Sequence, residues 1–337
     1  MRIAVLGLGF MGSTHLKALR NVSGATLAAV VSANEKKLSG DLSDIQGNLG
    51  GPGEKMDFSG VSRYRTVDEA LRDPRVDAVD ICLPTDRHAP VALDALRAGK
   101  HVLVEKPMAL DGDTADRMIA EAERSGKLLM TAQVLRFLPS YAVTAEIVKS
   151  AKLGQVRSAI FRRRCAAPAW SKWLSDPSVS GGGVFDLLIH DVDYCIHLFG
   201  LPAAVSAVGY EAMPRGIDII VAQFHYPGVD VTITGGWHHP KAYPFSAEFT
   251  IVSDGGTLEY HTAGKPLTLY QSDGAEATVE LPERDGFEAE LEYFIACATS
   301  GSKPVRCPPR ESATAVRLTL KMLESRRKNG ERIACKL

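Results

Sequence analysis

The run Ile3-Ala4-Val5-Leu6-Gly7-Leu8-Gly9-Phe10-Met11-Gly12 decides the fold. Four apolar residues read as a buried strand, they feed directly into G-x-G-x-x-G, and a helical pattern follows over residues 13–20. Strand, glycines and helix in that order are the context the dinucleotide-binding fingerprint requires. Gly7 permits the tight turn, Gly9 lets the backbone approach a pyrophosphate, and Gly12 lets the helix pack close to the strand. The phosphates would then lie over free N–H groups at the positive end of the helix. Phe10 and Met11, between the last two glycines, join them as candidate cofactor contacts. A glycine-rich turn without a ligand is the competing explanation.

The rest of the chain sets bounds on that expectation. A length of 337 residues, 45% of them hydrophobic, suits two domains with real cores. With 39 basic and 40 acidic residues the net charge is −1, which suggests no polyanionic partner such as nucleic acid. Arg162-Arg163-Arg164 is the one dense basic run and reads as a solvated or interface face of a strand. Six cysteines (Cys82, Cys165, Cys195, Cys297, Cys307, Cys335) form no C-x-x-C pair, which fits reduced thiols better than a disulfide frame or a zinc site. The chain opens on a fold element, and no apolar stretch approaches bilayer length. A soluble cytoplasmic protein with no membrane partner is expected.

Past the first helix, residues 25–31 read as a second buried strand. The acidic residue that commonly holds the adenosine ribose belongs at its end, yet that position is Ser32. Ser32, Asn34 and Lys37 offer hydroxyl, amide and ammonium groups that suit a 2′-phosphate, so NADP is placed ahead of NAD; Asn34 could equally cap a helix. Residues 40–60 read as a surface loop with little room for a buried element. A helix over 67–72 ends at Asp73-Pro74, and a strand over 78–83 follows. Leu83, Pro84, Thr85 and His88 then fall at the carboxyl end of a parallel strand, where ligands lie in open α/β sheets. Pro90 introduces a helix over 91–98. The strand over 102–104 ends in Glu105-Lys106-Pro107, where the lysine could polarise a reacting oxygen or simply pair with Glu105.

With that tripeptide the chain resembles the glucose–fructose oxidoreductase, inositol dehydrogenase and MocA family. The resemblance rests on the glycine fingerprint, on Pro84-Thr85 with His88 beyond, and on the stretch from Ala98-Gly99-Lys100-His101 to Glu105-Lys106-Pro107. It continues through Gln133 to Pro139 and from Gly181-Gly182-Gly183 through Asp186, His190 and Asp193. It implies a Rossmann domain over residues 1–132 and an α+β domain over 133–337 with a large, mainly antiparallel open sheet. Glu105, Lys106 and Gln133 would lie by the nicotinamide, and Arg136 near the substrate; most similar proteins carry asparagine where Gln133 stands. Homodimers or homotetramers through the second sheet are implied as well.

In the second half, residues 141–149 suggest a helix, and strands are read at 156–165, 203–210, 218–226, 229–237, 247–252, 256–261, 266–271 and 277–280. Helices over 287–299 and 311–329 close the chain. After Gly181 to Gly183, the residues Asp186, His190, Asp193 and His197 fall on one helical stripe. Asp186 in the first turn can orient the imidazole of His190, whose ordinary pKa suits proton exchange near neutrality. His197 reads as packing or a helix-end partner. Trp170, Trp173, Trp237 and His238 are candidate pocket residues, since a flat aromatic face suits a sugar ring. No metal site is expected.

Together these imply hydride transfer between NADP or NAD and a secondary alcohol of a sugar, cyclitol or related polyol. His190 would take the hydroxyl proton, Lys106 would stabilise the alkoxide and Asp186 would hold the base, although Lys106 could itself carry the proton. The alternatives are a glycosidase-like member that cycles a bound NAD, and a cofactor-sensing protein without chemistry.

Overall fold

The computed structural model describes residues 1–47, 53–169 and 171–336. Strands and helices alternate at first: β1 (Arg2–Leu6), α1 (Phe10–Leu19), β2 (Thr26–Val31), α2 (Glu35–Leu38), β3 (Ser62–Tyr64), α3 (Val67–Arg72), β4 (Ala78–Ile81), α4 (Thr85–Arg97), β5 (His101–Glu105), α5 (Gly112–Ser125) and β6 (Leu129–Ala132). All six strands are parallel, in the order β3-β2-β1-β4-β5-β6. That is the doubly wound dinucleotide-binding order, with its switch point between β1 and β4. The strands are continuous apolar runs because both faces of the sheet are covered. On one side Ile3, Leu103 and Met130 pack with Leu291 and Phe294, and on the other Val5 and Val30 pack with Leu16, Leu42 and Phe58.

The second run comprises α6 (Pro139–Lys149), β7 (Val156–Cys165), α7 (Pro177–Ser180), α8 (Gly183–Phe199), β8 (Ala204–Ala212), β9 (Ile217–Tyr226), β10 (Val229–Trp237), β11 (Ser246–Ser253), β12 (Gly256–His261), β13 (Lys265–Gln271) and β14 (Glu276–Thr278). Next come α9 (Gly286–Ser300), α10 (Pro309–Arg327) and β15 (Ile333–Ala334). The nine-stranded sheet runs β14-β13-β12-β11-β7-β10-β9-β8-β15 and is antiparallel except where β7 meets β10. Its inner face meets α8 through an aromatic cluster of Tyr141, Phe161, Tyr194 and Phe249. The chain divides into two compact units, residues 1–137 with 284–313 and residues 138–283 with 314–337. Helix α9 therefore belongs to the dinucleotide-binding unit, where a cut at residue 132 assigns it to the other.

Several local expectations change. Helix α4 starts at Thr85, and Pro90 lies inside it, because Pro84 rather than Pro90 occupies the helix entrance. The loop over residues 40–60 carries Leu42, Met56 and Phe58 into the core, so three apolar side chains anchor what reads as a polar linker. Its Gly50-Gly51-Pro52 centre lies outside the described residues. The short edge strand β3 and the terminal β15 carry no alternation long enough to read. In the Arg162-Arg163-Arg164 run, strand pleating turns Arg162 and Arg164 to Glu248 on one face and sends Arg163 inward. There Arg163 makes a buried two-point pair with Asp191 of α8, at 2.8 and 3.0 Å.

Candidate active site

In the first unit, Gly7 has φ +100°, and a Cβ added there would stand 2.5 Å from the Cys82 carbonyl oxygen. One added to Gly12 would stand 1.9 Å from the Gly7 carbonyl oxygen. These two glycines let β1, β4 and α1 meet. Gly9 differs, since its Cβ would meet nothing within 4 Å. Gly9 is the N-cap of α1, no side chain caps that helix, and its first turn contains no acid. An open, uncapped helix N-terminus with backbone access fits a pyrophosphate.

A second observation supports the fit. Thr85 Oγ1, Thr131 Oγ1 and Gln133 Nε2 are buried and make no hydrogen bond among the described residues. They lie at or just beyond the carboxyl ends of β4 and β6. Buried polar groups are normally paired, so orphaned ones gathered at the strand ends point to a ligand. Gln133 and Thr85 are expected cofactor contacts; Thr131 is not, because nothing in a strand's alternation marks which threonine lacks a partner.

The remaining expected cofactor residues divide. Ser32 Oγ accepts from the Asn34 N–H at 3.2 Å, and Asn34 Oδ1 accepts from the Lys37 N–H at 3.2 Å, so Asn34 is the N-cap of α2. Lys37 is half-buried with no carboxylate partner among the described residues, and burial lowers its pKa. Phe10, Leu83 and Pro84 are partly exposed around the glycine turn, while Met11 packs on the Val5, Leu16 and Val30 cluster. His88 is buried, its ring nitrogens 2.7 Å from the Pro107 carbonyl oxygen and 2.8 Å from that of Leu83. Burial keeps its pKa low against those carbonyls.

Glu105 corrects the expectation, since its side chain turns into the protein rather than to a cofactor. Its Oε1 lies 3.1 Å from His15 Nε2, and its Oε2 accepts the Lys106 N–H at 3.0 Å. His15 Nδ1 in turn lies 2.9 Å from Asp80 Oδ2. Burial is the largest single influence and disfavours the charged ring, but Asp80 and Cys82 together outweigh it and hold the imidazole well above its ordinary pKa. Burial likewise opposes ionisation of Glu105, and His15 holds its carboxyl below the ordinary value. With Cys82, His15 and Asp80 form the one group of metal-binding donor types among the described residues, within 4.8 Å of one another. Lys106 itself is partly exposed just past β5.

Arg136 is a second correction. It is fully buried, and its Nη1 donates to the Arg306 carbonyl oxygen at 3.1 Å and to Glu311 at 2.5 Å, an anchoring role within its unit rather than a substrate contact. Its partners lie some 170 residues away in sequence, beyond any local pattern.

In the second unit, α8 is buried on nearly every side, and Asp186, His190 and His197 form its partly exposed stripe. Asp193, on the same stripe, is buried. Two features fix the helix. The Val184 N–H donates to Asp218 Oδ2 at 2.8 Å, while Arg326 holds Oδ1 at 2.5 Å, so an aspartate from β9 caps α8. Gly183 sits on the Trp237 ring, where a Cβ would come within 2.6 Å. Trp237 is therefore core and not a pocket wall. His197 lies 2.9 Å from Lys149 Nζ, the helix-end partner expected of it. Trp173 is half-buried in a short turn and His238 is exposed; Trp170 lies outside the described residues.

Residues 1–133 match the family described as "Oxidoreductase family, NAD-binding Rossmann fold", and residues 141–259 match "GFO/IDH/MocA C-terminal domain". The chain is 31% identical to a myo-inositol 2-dehydrogenase of Thermotoga maritima over 59% of its own length and 55% of that protein's. It is 34% identical to an oxidoreductase of Rhizobium meliloti over 50% and 52%. The chain thus spans about half the length of these two relatives. A D-xylose 1-dehydrogenase (NADP(+)) of Haloferax volcanii is 27% identical over 96% of this chain and 97% of that one. The fold matches the aldose-aldose oxidoreductase of Caulobacter crescentus with a TM-score of 0.85 at 24% identity, covering 99% of both chains. The chain belongs to the Gfo/Idh/MocA family of oxidoreductases.

Proposed function

We propose that this protein is an NAD(P)-dependent dehydrogenase acting on a secondary alcohol of a sugar, cyclitol or related polyol. The observation that carries the proposal is the partly exposed stripe of α8. A largely buried helix leaves Asp186 and His190 partly exposed one turn apart, in a chain whose other unit is a dinucleotide fold with Lys106 at a strand end. When bound, the nicotinamide supplies the hydride chemistry. Gly9 and the α1 N-terminus hold the phosphates, and Thr85 and Gln133 hold the nicotinamide end. A His190 ring nitrogen takes the hydroxyl proton, Asp186 orients that ring, and Lys106 Nζ donates to the developing alkoxide. NADP is preferred over NAD because Ser32, rather than a carboxylate, stands at the end of β2, with Lys37 beyond it.

Trp173 and His238 are assigned to the substrate, and the second unit to substrate binding and assembly. Ile160, Val208, Tyr210 and Val221 are each about half exposed on the open sheet face, which suits pairing with a second copy. The six cysteines are all buried and outside any disulfide among the described residues, as a reducing cytoplasm allows. No helix among the described residues is long and apolar enough to cross a membrane. A glycosidase-like cycle or a sensing role has no specific feature in its favour.

The test is a screen of sugars and cyclitols with NADP and NAD, following reduced-nicotinamide absorbance, in the wild type and in Lys106→Met and His190→Asn. Turnover lost in both variants with cofactor binding retained is the expected result. Turnover unaffected by either substitution, or no polyol oxidised by a protein that binds the cofactor, overturns the assignment.

A further inference from the structure

We propose that His15 is a positioning residue for Lys106: bridging Asp80 and Glu105, it fixes the carboxylate that holds the Lys106 backbone, and so ties the lysine to the helix bearing the dinucleotide seat. The proposal rests on the dehydrogenase assignment for its purpose but on geometry for its existence. His15 lies in the second turn of α1, six residues past Gly9, or roughly 9 Å along the axis. Its ring reaches two strands: Nδ1 is hydrogen-bonded to Asp80 of β4 at 2.9 Å, and Nε2, which makes no aligned hydrogen bond among the described residues, stands at ion-pair distance from Glu105 at the end of β5, 3.1 Å.

Glu105 uses its two oxygens separately, one for His15 and the other for the Lys106 N–H. On the far side of the lysine, the Pro107 carbonyl oxygen is held by His88 at 2.7 Å. Lys106 is thus bracketed between two immobilised neighbours while its own side chain reaches the surface.

A fully buried ring between two carboxylates is not the arrangement that stability alone favours. Buried ionic groups are commonly replaceable by apolar packing without loss, so their retention asks for a positional reason. The groups facing His15 are Asp80 and Cys82 from β4 and its end, Glu105 from β5, and the Phe287 ring of α9 at 5.9 Å; His88 and Lys106 act on Glu105 in turn. An anion drawn onto the α1 N-terminus therefore acts on the helix that also carries the Glu105 anchor.

The experiment compares wild type, His15→Gln, Glu105→Gln and the double variant by amide-proton spectra of isotope-labelled protein, NADH and NADPH titration, and steady-state kinetics. In folded His15→Gln the Lys106 amide resonance moves, and the cofactor dissociation constants stay within about threefold. With a substrate in hand, kcat falls roughly tenfold to a hundredfold at little-changed KM. Adding His15→Gln to Glu105→Gln then costs little more, since both act through one carboxylate.

An unmoved Lys106 resonance in folded His15→Gln, or losses that add in full, overturns the proposal. A moved resonance in a protein that oxidises no polyol sinks the dehydrogenase assignment and leaves the linkage standing. Should His15→Gln not fold, the wild-type ring decides. Protons on both nitrogens at about pH 8, above the ordinary imidazole value, support the bridge. One bare nitrogen overturns it, because such a ring can donate to only one carboxylate.

Discussion

Gly9 and Gly12 are both glycines of one fingerprint, and replacing each by alanine should have opposite consequences. At Gly12 the new methyl would lie 1.9 Å from the Gly7 carbonyl oxygen, a backbone atom that cannot swing away. That is more than about 1.5 Å short of ordinary contact, so α1 must lift off the β1–β4 junction. Overpacking of this kind costs about 3 kcal/mol or more, a fall in melting temperature of roughly 6–12 °C for a unit of this size. At Gly9 the methyl meets no protein atom, and the backbone, at φ −88° and ψ −160°, is open to alanine. Stability should stay within about 1 kcal/mol of wild type, the modest N-cap preference for glycine being set against a stiffer unfolded chain. The same methyl stands where a phosphate would approach, so NADPH affinity should fall at least about tenfold, or 1.4 kcal/mol. Calorimetry and fluorescence titration on both variants separate the effects. A Gly9→Ala protein that binds NADPH like the wild type would refute the placement of the pyrophosphate, and a Gly12→Ala protein of unchanged stability would refute the packing argument.

Lys37→Ala should weaken NADPH binding roughly tenfold and leave NADH binding within about twofold, read from parallel titrations, because only the 2′-phosphate calls for that ammonium. Equal loss for both cofactors would remove the reason for placing NADP first. Removing Asp191 with alanine should cost about 3–5 kcal/mol in urea unfolding by stranding the Arg163 guanidinium, whereas Arg163→Met with Asp191→Leu should cost much less. Asp73 receives hydrogen bonds from Arg75 and Tyr64 that lower its pKa from 3.8 to about 2. A depressed folded pKa contributes stability that is full above the unfolded value and lost as pH falls through the folded one. The stability gap between wild type and Asp73→Asn should therefore be widest at neutral pH and shrink from about pH 4 to pH 2; a gap independent of pH would show that the carboxylate's charge is not what matters there.

What the sequence made legible is what short-range physics controls. The glycine fingerprint, the strand ends and the stripe on α8 each depend on spacings of two to eleven residues, and periodicity reports such spacings directly. Strands β7, β10 and β12 fall where alternation placed them, and His197 finds its partner at the helix end. The misreadings share another cause. Arg136 and Glu105 look like functional charges, and Arg163 like part of a solvated or interface face, because charged residues are seldom buried, and each proves to be buried against a partner that no local pattern reveals. Trp237 fails likewise, since Gly183, the residue that covers it, lies 54 positions earlier.

The same rule cuts the other way for His15. On sequence alone it is the third residue past the last glycine of the fingerprint, one polar position on an amphipathic helix. Its importance comes from Asp80 and Glu105, 65 and 90 residues downstream, which parallel strand order brings side by side. A parallel sheet sets the ends of distant strands next to one another, so a doubly wound fold concentrates at its carboxyl edge groups that sequence spacing keeps apart. Chemistry at that edge is the least legible in the chain and the most dependent on the fold being right.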